Sequence, residues 1–331
     1  MPAADVSVRF AVVGCGNAAR QIHLPALRTE GAAVTVFTSR TKTSAEALRD
    51  EWGRGDVVER WEDAVGRDDV DAVLVAVPNA IHAEVAVAAA TAGKHVLVDK
   101  PMACTTDDAD AMIAAADTHG VILVPFHNTR FVAPFVAARQ LVAAGRLGEV
   151  TGFRAAFGHA GPQTWAPQAV WFFDTSKAGG GCLIDLGVHV VDLVRAVTGD
   201  DIIAVSATLN GCRGDVEADA QLLARLRGGA IGTIHASWSS VSGPDHQLTV
   251  IGTAGTLHLD NRTPLSFVDG HGHRERIALP DTTGSPLAEL LAAIAGERPP
   301  SITAADGRAA VAIVQAAYRS AAHASAMTEV V

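Results

Sequence analysis

The segment from Ala178 to Asp192, AGGGCLIDLGVHVVD, sets three glycines ahead of an apolar run broken by Asp185, His189 and Asp192. If the run is helical, spacings of four and three bring all three polar side chains to one face. A carboxylate beside an imidazole suits general acid–base work, and His189 is the member whose unperturbed pKa lies near neutrality. A second chemical candidate is Lys100, in Val98-Asp99-Lys100-Pro101 at the end of a Val-rich run. An ammonium there can polarise a hydroxyl or carbonyl oxygen and favour a developing alkoxide. The third is Gly14-Cys15-Gly16-Asn17-Ala18-Ala19, which fits G-x-G-x-x-G/A with Ala19 in the last place. Glycine at 14 permits a tight turn, and glycine at 16 lets main-chain N–H groups approach a pyrophosphate at a helix N-terminus.

Each candidate has a plainer reading. A lysine at a strand end is commonly solvated, a polar helix face can simply fix the helix's orientation, and a glycine turn also serves S-adenosylmethionine sites. Asp192 reads more simply as a hydrogen-bond or dipole partner than as a catalytic group. Asp185 and His189 have the spacing to share an ion, but no third ligand stands at motif spacing, so no metal is assigned.

These residues need a frame to position them. The runs RFAVVG (9–14), AVTVFT (33–38), AVLVAVP (72–78), HVLVDKP (95–101) and VILVPF (121–126) alternate with Ala-rich segments of helical period, with VVER (57–60) a weaker strand. Continuous apolarity is what strands covered on both faces require, so this part reads as a parallel sheet wrapped by helices. After residue 126 come a helix at 134–144 and the strand VTGFRAAFG. The glycine-led helix and Gly-punctuated runs with hairpin-like RGGAIG and TAGT follow, and a long amphipathic helix from Ala304 to Ala322 closes the chain. That second pattern predicts a mainly antiparallel sheet. A chain of 331 residues suits two domains, divided here as 1–126 and 127–331.

Composition narrows the partners. A formal charge of −10 argues against nucleic acid and against an anionic membrane surface. Four scattered cysteines and the absence of a signal-like or spanning apolar run predict a cytoplasmic protein. The second strand ends in Phe37-Thr38-Ser39-Arg40-Thr41, with no carboxylate for a ribose 2′-hydroxyl. Ser39 and Arg40 suit a 2′-phosphate, so NADP(H) is favoured, with NAD(H) the alternative.

The glycine turn, Val77-Pro78-Asn79 with His82, Asp99-Lys100-Pro101, and Ala178 through Asp185 and His189 together resemble the glucose-fructose oxidoreductase/inositol dehydrogenase (Gfo/Idh/MocA) family. The family's usual Glu-Lys-Pro is Asp-Lys-Pro here. The resemblance implies a Rossmann domain followed by an α/β domain with a large open sheet, through which the chain would form a homodimer or homotetramer. It implies reversible hydride transfer at a secondary alcohol of a sugar, cyclitol or related polyol. Lys100, Asp185 and His189 would surround the reacting carbinol, and the glycine segment with Asn17 and Ala18 would hold the cofactor. Asn79 and His82 would lie near the nicotinamide ribose, with Pro78 and Lys100 also on the cofactor side. In that setting Gly179 to Gly181 would keep side chains away from substrate and nicotinamide. His189 would be base in oxidation and acid in reduction, Asp185 would hold a substrate hydroxyl, and Lys100 is the competing proton carrier.

Substrate contacts are assigned to Asn128 and Arg130, in His127-Asn128-Thr129-Arg130-Phe131, and to Trp165 and Trp171 in a Pro/Gly-broken loop. An interdomain salt bridge competes for Arg130, and core anchoring for the tryptophans. His159 and His246 receive no role. A short-chain dehydrogenase is excluded, because the single tyrosine, Tyr318, has Ala322 four residues on rather than lysine. A methyltransferase leaves Lys100 unexplained, and a non-catalytic nucleotide sensor stands as the alternative outside enzymology.

Overall fold

A computed structural model describes residues 7–241, 245–260, 264–281 and 284–331. Two compact units emerge. The first runs to Phe126 and includes Ser285–Arg308, and the second comprises His127–Gly284 and Ala309–Val331. The sequence division keeps everything after 126 together, whereas Ser285–Arg308 groups with the first unit. Burial explains the difference: helix Pro286–Ile294 hides Leu287 and Leu290 completely.

In the first unit the Val-rich runs form β1 (Arg9–Val13), β2 (Ala33–Thr38), β3 (Asp56–Val58), β4 (Ala72–Val75), β5 (His95–Val98) and β6 (Leu123–Pro125). They make one parallel sheet in the order β3-β2-β1-β4-β5-β6, the order of a doubly wound dinucleotide fold. β4 is buried throughout and β1 nearly so, as helices on both faces demand. β3, the weak run, is a short and partly exposed edge. Helix Pro286–Ile294 packs on β5 and β6.

The second unit carries β7 (Val150–Gly158), β8 (Ile202–Arg213), β9 (Val216–Leu226), β10 (Ile231–Ser237), β11 (Asp245–Gly252), β12 (Gly255–Asp260), β13 (Ser266–Asp269), β14 (Arg274–Arg276) and β15 (Thr328–Glu329). Their order is β14-β13-β12-β11-β7-β10-β9-β8-β15. All pairs are antiparallel except β7 with β10. Strand patterning does not encode direction, so the parallel pair had no signature in the sequence. β9 alternates buried and less buried residues from Val216 to Leu226. One face therefore packs on helix Val188–Thr198 and the chain from Ala310 to Ala317, while Leu223 and Ile231 stay exposed on the other. Among the described residues no helix is long and apolar enough to cross a membrane.

Candidate active site

In the first unit the candidate groups collect where strands end, the side on which open α/β sheets bind ligands. Gly14 follows β1 with φ of +100°, a conformation L side chains avoid, and an added Cβ would fall 2.1 Å from the Ala76 carbonyl oxygen. Its N–H donates to the Thr38 carbonyl at 2.9 Å, pinning the turn to the end of β2. Gly16 differs: a Cβ there would meet nothing within 4 Å. The protein itself does not require glycine at 16, which fits a position kept bare for a bound group approaching the main chain. Asn17 and Ala18 are half-buried beside it. After β2, Ser39 is half-buried and Arg40 exposed.

Lys100 follows β5 and is half-buried. Its main-chain N–H donates to Asp99 Oδ1 at 2.8 Å, and Asp99 Oδ2 lies 3.3 Å from Nε2 of the buried His23. Burial alone would raise the Asp99 carboxyl. The His23 ring, with Lys100 and His82 adding to it, outweighs that and holds the group down at about 2. The anchor for the lysine's main chain is thus a carboxylate at neutral pH.

Pro78 precedes a short turn, Asn79–Ile81, in which Asn79 is buried. His82 is buried, with Nδ1 2.8 Å from the Pro101 carbonyl oxygen and Nε2 2.8 Å from that of Val77, so the ring braces the loop after β4 against the one after β5. Burial pushes this imidazole below its ordinary pKa, against the opposing pull of Asp99 and the two carbonyls.

In the second unit the glycine-led segment opens as a π-helix, Leu183–Gly187, and continues as an α-helix, Val188–Thr198. A π turn is a frequent companion of functional sites and changes the angular spacing of side chains. Asp185, His189 and Asp192 consequently reach different partners. Asp185 is buried and accepts from Trp238 Nε1–H at 3.0 Å, with His159 Nε2 3.9 Å from the same oxygen. His159 Nδ1 accepts from the Gly161 N–H at 2.9 Å, which leaves the ring proton of its neutral form on Nε2, toward Asp185. His189, half-buried, has Nδ1 3.2 Å from Thr129 Oγ1. Asp192 is buried and held by Arg130 in two bonds of 2.7 and 2.6 Å.

The glycines before this helix carry a correction. A Cβ on Gly180, whose φ is +155°, would lie 2.0 Å from the Tyr318 hydroxyl, and one on Gly181 would lie 2.0 Å from the Glu217 carbonyl oxygen. Close approach of the protein's own groups therefore explains both, where ligand clearance was expected. Glu217 accepts from the Gly181 and Leu183 N–H groups at 3.0 and 2.9 Å and from Tyr318 Oη at 2.9 Å. The helix start is thereby fixed by a carboxylate cap. Burial, then the neighbouring Glu217, raises the Tyr318 phenol well above its usual range.

The proposed substrate contacts separate. Asn128 is half-buried at the start of a short 3-10 turn, Asn128–Phe131. Arg130 is buried and pairs with Asp192 inside the second unit, through Nε and Nη2. Trp165 and Trp171 pack around Phe172, edge-on at 5.5 Å and stacked at 4.0 Å between centroids, against the core of the second unit. Sequence reasoning missed Thr129, Trp238, His159 and Glu217. Thr129 stood inside a motif already singled out, but its partner lies 60 residues away.

Residues 8–127 match the family model described as "Oxidoreductase family, NAD-binding Rossmann fold", and residues 135–258 match "GFO/IDH/MocA C-terminal domain". The chain is 32% identical over 311 residues to 1,5-anhydro-D-fructose reductase of Ensifer adhaerens, covering 90% of this chain and 92% of that protein. It is 28% identical over 270 residues to myo-inositol 2-dehydrogenase of Thermotoga maritima, covering 76% and 78%. Among solved structures, GenD2 from gentamicin A biosynthesis in complex with NAD aligns with a TM-score of 0.83 at 31% identity, over 98% of this chain and 96% of that one.

Proposed function

Since the chain belongs to the Gfo/Idh/MocA family and is an NAD(P)-dependent oxidoreductase, we propose that it acts on a secondary alcohol, or the matching ketone, of a sugar, cyclitol or related polyol. The observation that carries this reading is the state of the glycine-led helix. Of its three polar side chains His189 alone remains partly exposed, while Asp185 and Asp192 are buried against Trp238 and Arg130. A proton carrier must meet its substrate, and of the three His189 best meets that requirement.

Bound nicotinamide supplies the hydride acceptor or donor. The protein's residues do the rest. Gly14, Gly16, Asn17 and Ala18 hold the cofactor's pyrophosphate, with Pro78 and Asn79 along the same strand-end side. In oxidation the substrate hydroxyl gives its proton to His189 as the carbinol hydrogen leaves as hydride, and in reduction His189 returns it. Lys100 polarises the reacting oxygen and lowers the cost of negative charge there. Asp185, buried with Trp238 Nε1–H on its Oδ2, suits a fixed negative charge on the helix better than the expected direct hold on a substrate hydroxyl.

NADP(H) is the favoured cofactor within the NAD-binding family, on the strength of Ser39 and Arg40 and the missing carboxylate after β2. The open sheet face bearing Leu223 and Ile231, 44% and 58% exposed, is the proposed surface for a homodimer or homotetramer.

Lys100→Ala and His189→Ala are each expected to lower kcat by about 10²- to 10⁴-fold on the best substrate from a panel of ketosugars and inososes, with cofactor Kd little changed. Near-wild-type turnover in either variant removes that residue from the mechanism. Calorimetric Kd values test the cofactor. NADPH should bind more tightly than NADH, and Arg40→Ala should narrow the difference by about tenfold. Tighter NADH binding by the unaltered protein refutes the preference.

A further inference from the structure

We propose that Thr129 is a positioning residue for His189, selecting which ring nitrogen exchanges the proton; this rests on the reading of His189 as proton carrier. Thr129 is 5% exposed and its Oγ1 lies 3.2 Å from His189 Nδ1. The contact is not an isolated touch. Arg130, the next residue, grips Asp192 one helical turn beyond His189. The turn Asn128–Phe131 is therefore fastened to the helix at two successive levels, and the hydroxyl cannot drift from the ring without disturbing a buried ion pair. Phe157 and His127 flank the imidazole edge-on, with centroids 5.8 and 6.4 Å away, and restrict its rotation.

With the ring's orientation restricted, its tautomer decides what it can do. A neutral imidazole carries one proton. On Nδ1, that proton is donated to Thr129 Oγ1, and Nε2 presents a lone pair able to take a proton from an alcohol. On Nε2, the Nδ1 lone pair turns to Thr129, the hydroxyl donates, and the protonated Nε2 has no capacity as a base. Only the first arrangement is productive in oxidation. It also persists through the cycle, because the imidazolium formed after proton uptake keeps its Nδ1–H on the same oxygen while releasing the other proton from Nε2 in reduction. Thr129 thus accepts throughout, as the third group that orients a base.

The test combines kinetics with the ring's nitrogen resonances. In protein labelled with 15N-histidine, with the His189 signals identified by their loss in His189→Ala, neutral His189 should carry its proton on Nδ1. Thr129→Val, which keeps the shape and removes the acceptor, should shift the neutral ring toward the Nε2–H form and lower kcat by about five- to tenfold, leaving the cofactor's KM unchanged. Thr129→Ser should restore both tautomer and kcat to within about threefold. Thr129→Ala substitutes for the valine variant if that one fails to fold. A valine or alanine variant with unaltered tautomer and kcat, or an Nε2–H ring in the unaltered protein, overturns the proposal. Should His189→Ala retain turnover, the proton-carrier reading fails instead, and the nitrogen resonances still decide the Thr129 contact on their own.

Discussion

The strand-end loops of the first unit and the glycine-led helix of the second hold their polar side chains by different means. In the first, a main-chain group is one partner in the contacts of Lys100 and His82. The Lys100 N–H donates to the Asp99 carboxylate, and both His82 ring nitrogens lie 2.8 Å from main-chain carbonyl oxygens, of which the neutral ring donates to one. In the second, Asp185, His189 and Asp192 each meet a side chain 53 to 62 residues away, in Trp238, Thr129 and Arg130. A main-chain acceptor survives any substitution of the residue that owns it. A side-chain pair is bilateral, and altering one member leaves the other buried without its counterpart.

The largest expected consequence falls on the pair whose members are both charged. Arg130→Ala leaves Asp192 buried with its charge uncompensated, and should cost about 3–5 kcal/mol of stability. Arg130→Met with Asp192→Leu removes both charges and should regain most of that loss. Lys100→Ala, at a half-buried position, should melt closer to the unaltered protein. Thermal unfolding of the four proteins side by side checks the contrast. If Arg130→Ala melts no lower than Lys100→Ala, the two units do not differ in this way.

The same contrast sets what could be read from the residues alone. The first sheet was legible because each strand is a continuous apolar run bounded by its own turn, and Gly14 was legible because its strain is local to the turn it makes. Long-range pairing leaves no such mark. Gly180 and Gly181 owe their lack of side chains to Tyr318 and Glu217, neither of them near in sequence, so assigning that space to a ligand was the natural error. The π turn at Leu183–Gly187 has the composition of an ordinary helix, and nothing in its residues announces the altered spacing. Arg130 illustrates the limit most directly: as a residue type it suits a polyol, and only coordinates reveal that Asp192 has claimed it. Lys100 and His189 could be proposed from the residues alone because the chemistry assigned to them is carried by residue type within a short motif.

A smaller effect separates two buried groups, one in each unit, by pH. In the second, His246 packs edge-on against Phe157 at 3.5 Å between centroids, and burial, with His159 adding to it and Asp245 opposing, pushes the imidazole down to about 4. In the first, Asp99 is held at about 2. The signs follow from linkage. Unfolded histidine takes up a proton near pH 6.5 while folded His246 stays neutral, so its contribution weakens as pH falls from about 6.5 to 4 and is constant below. Unfolded aspartate protonates near 3.9, so the stability due to Asp99 is complete above that pH and disappears as pH falls toward about 2. His246→Phe should therefore flatten the melting-temperature curve between about pH 6.5 and 4, by at most about 1.4 kcal/mol per pH unit for one proton, and Asp99→Asn should remove the loss of stability due to that carboxylate below about pH 4. If the His246→Phe and unaltered curves run parallel through the upper window, the ring gains its proton as readily in the folded chain as in the unfolded one, and burial against Phe157 does not govern it.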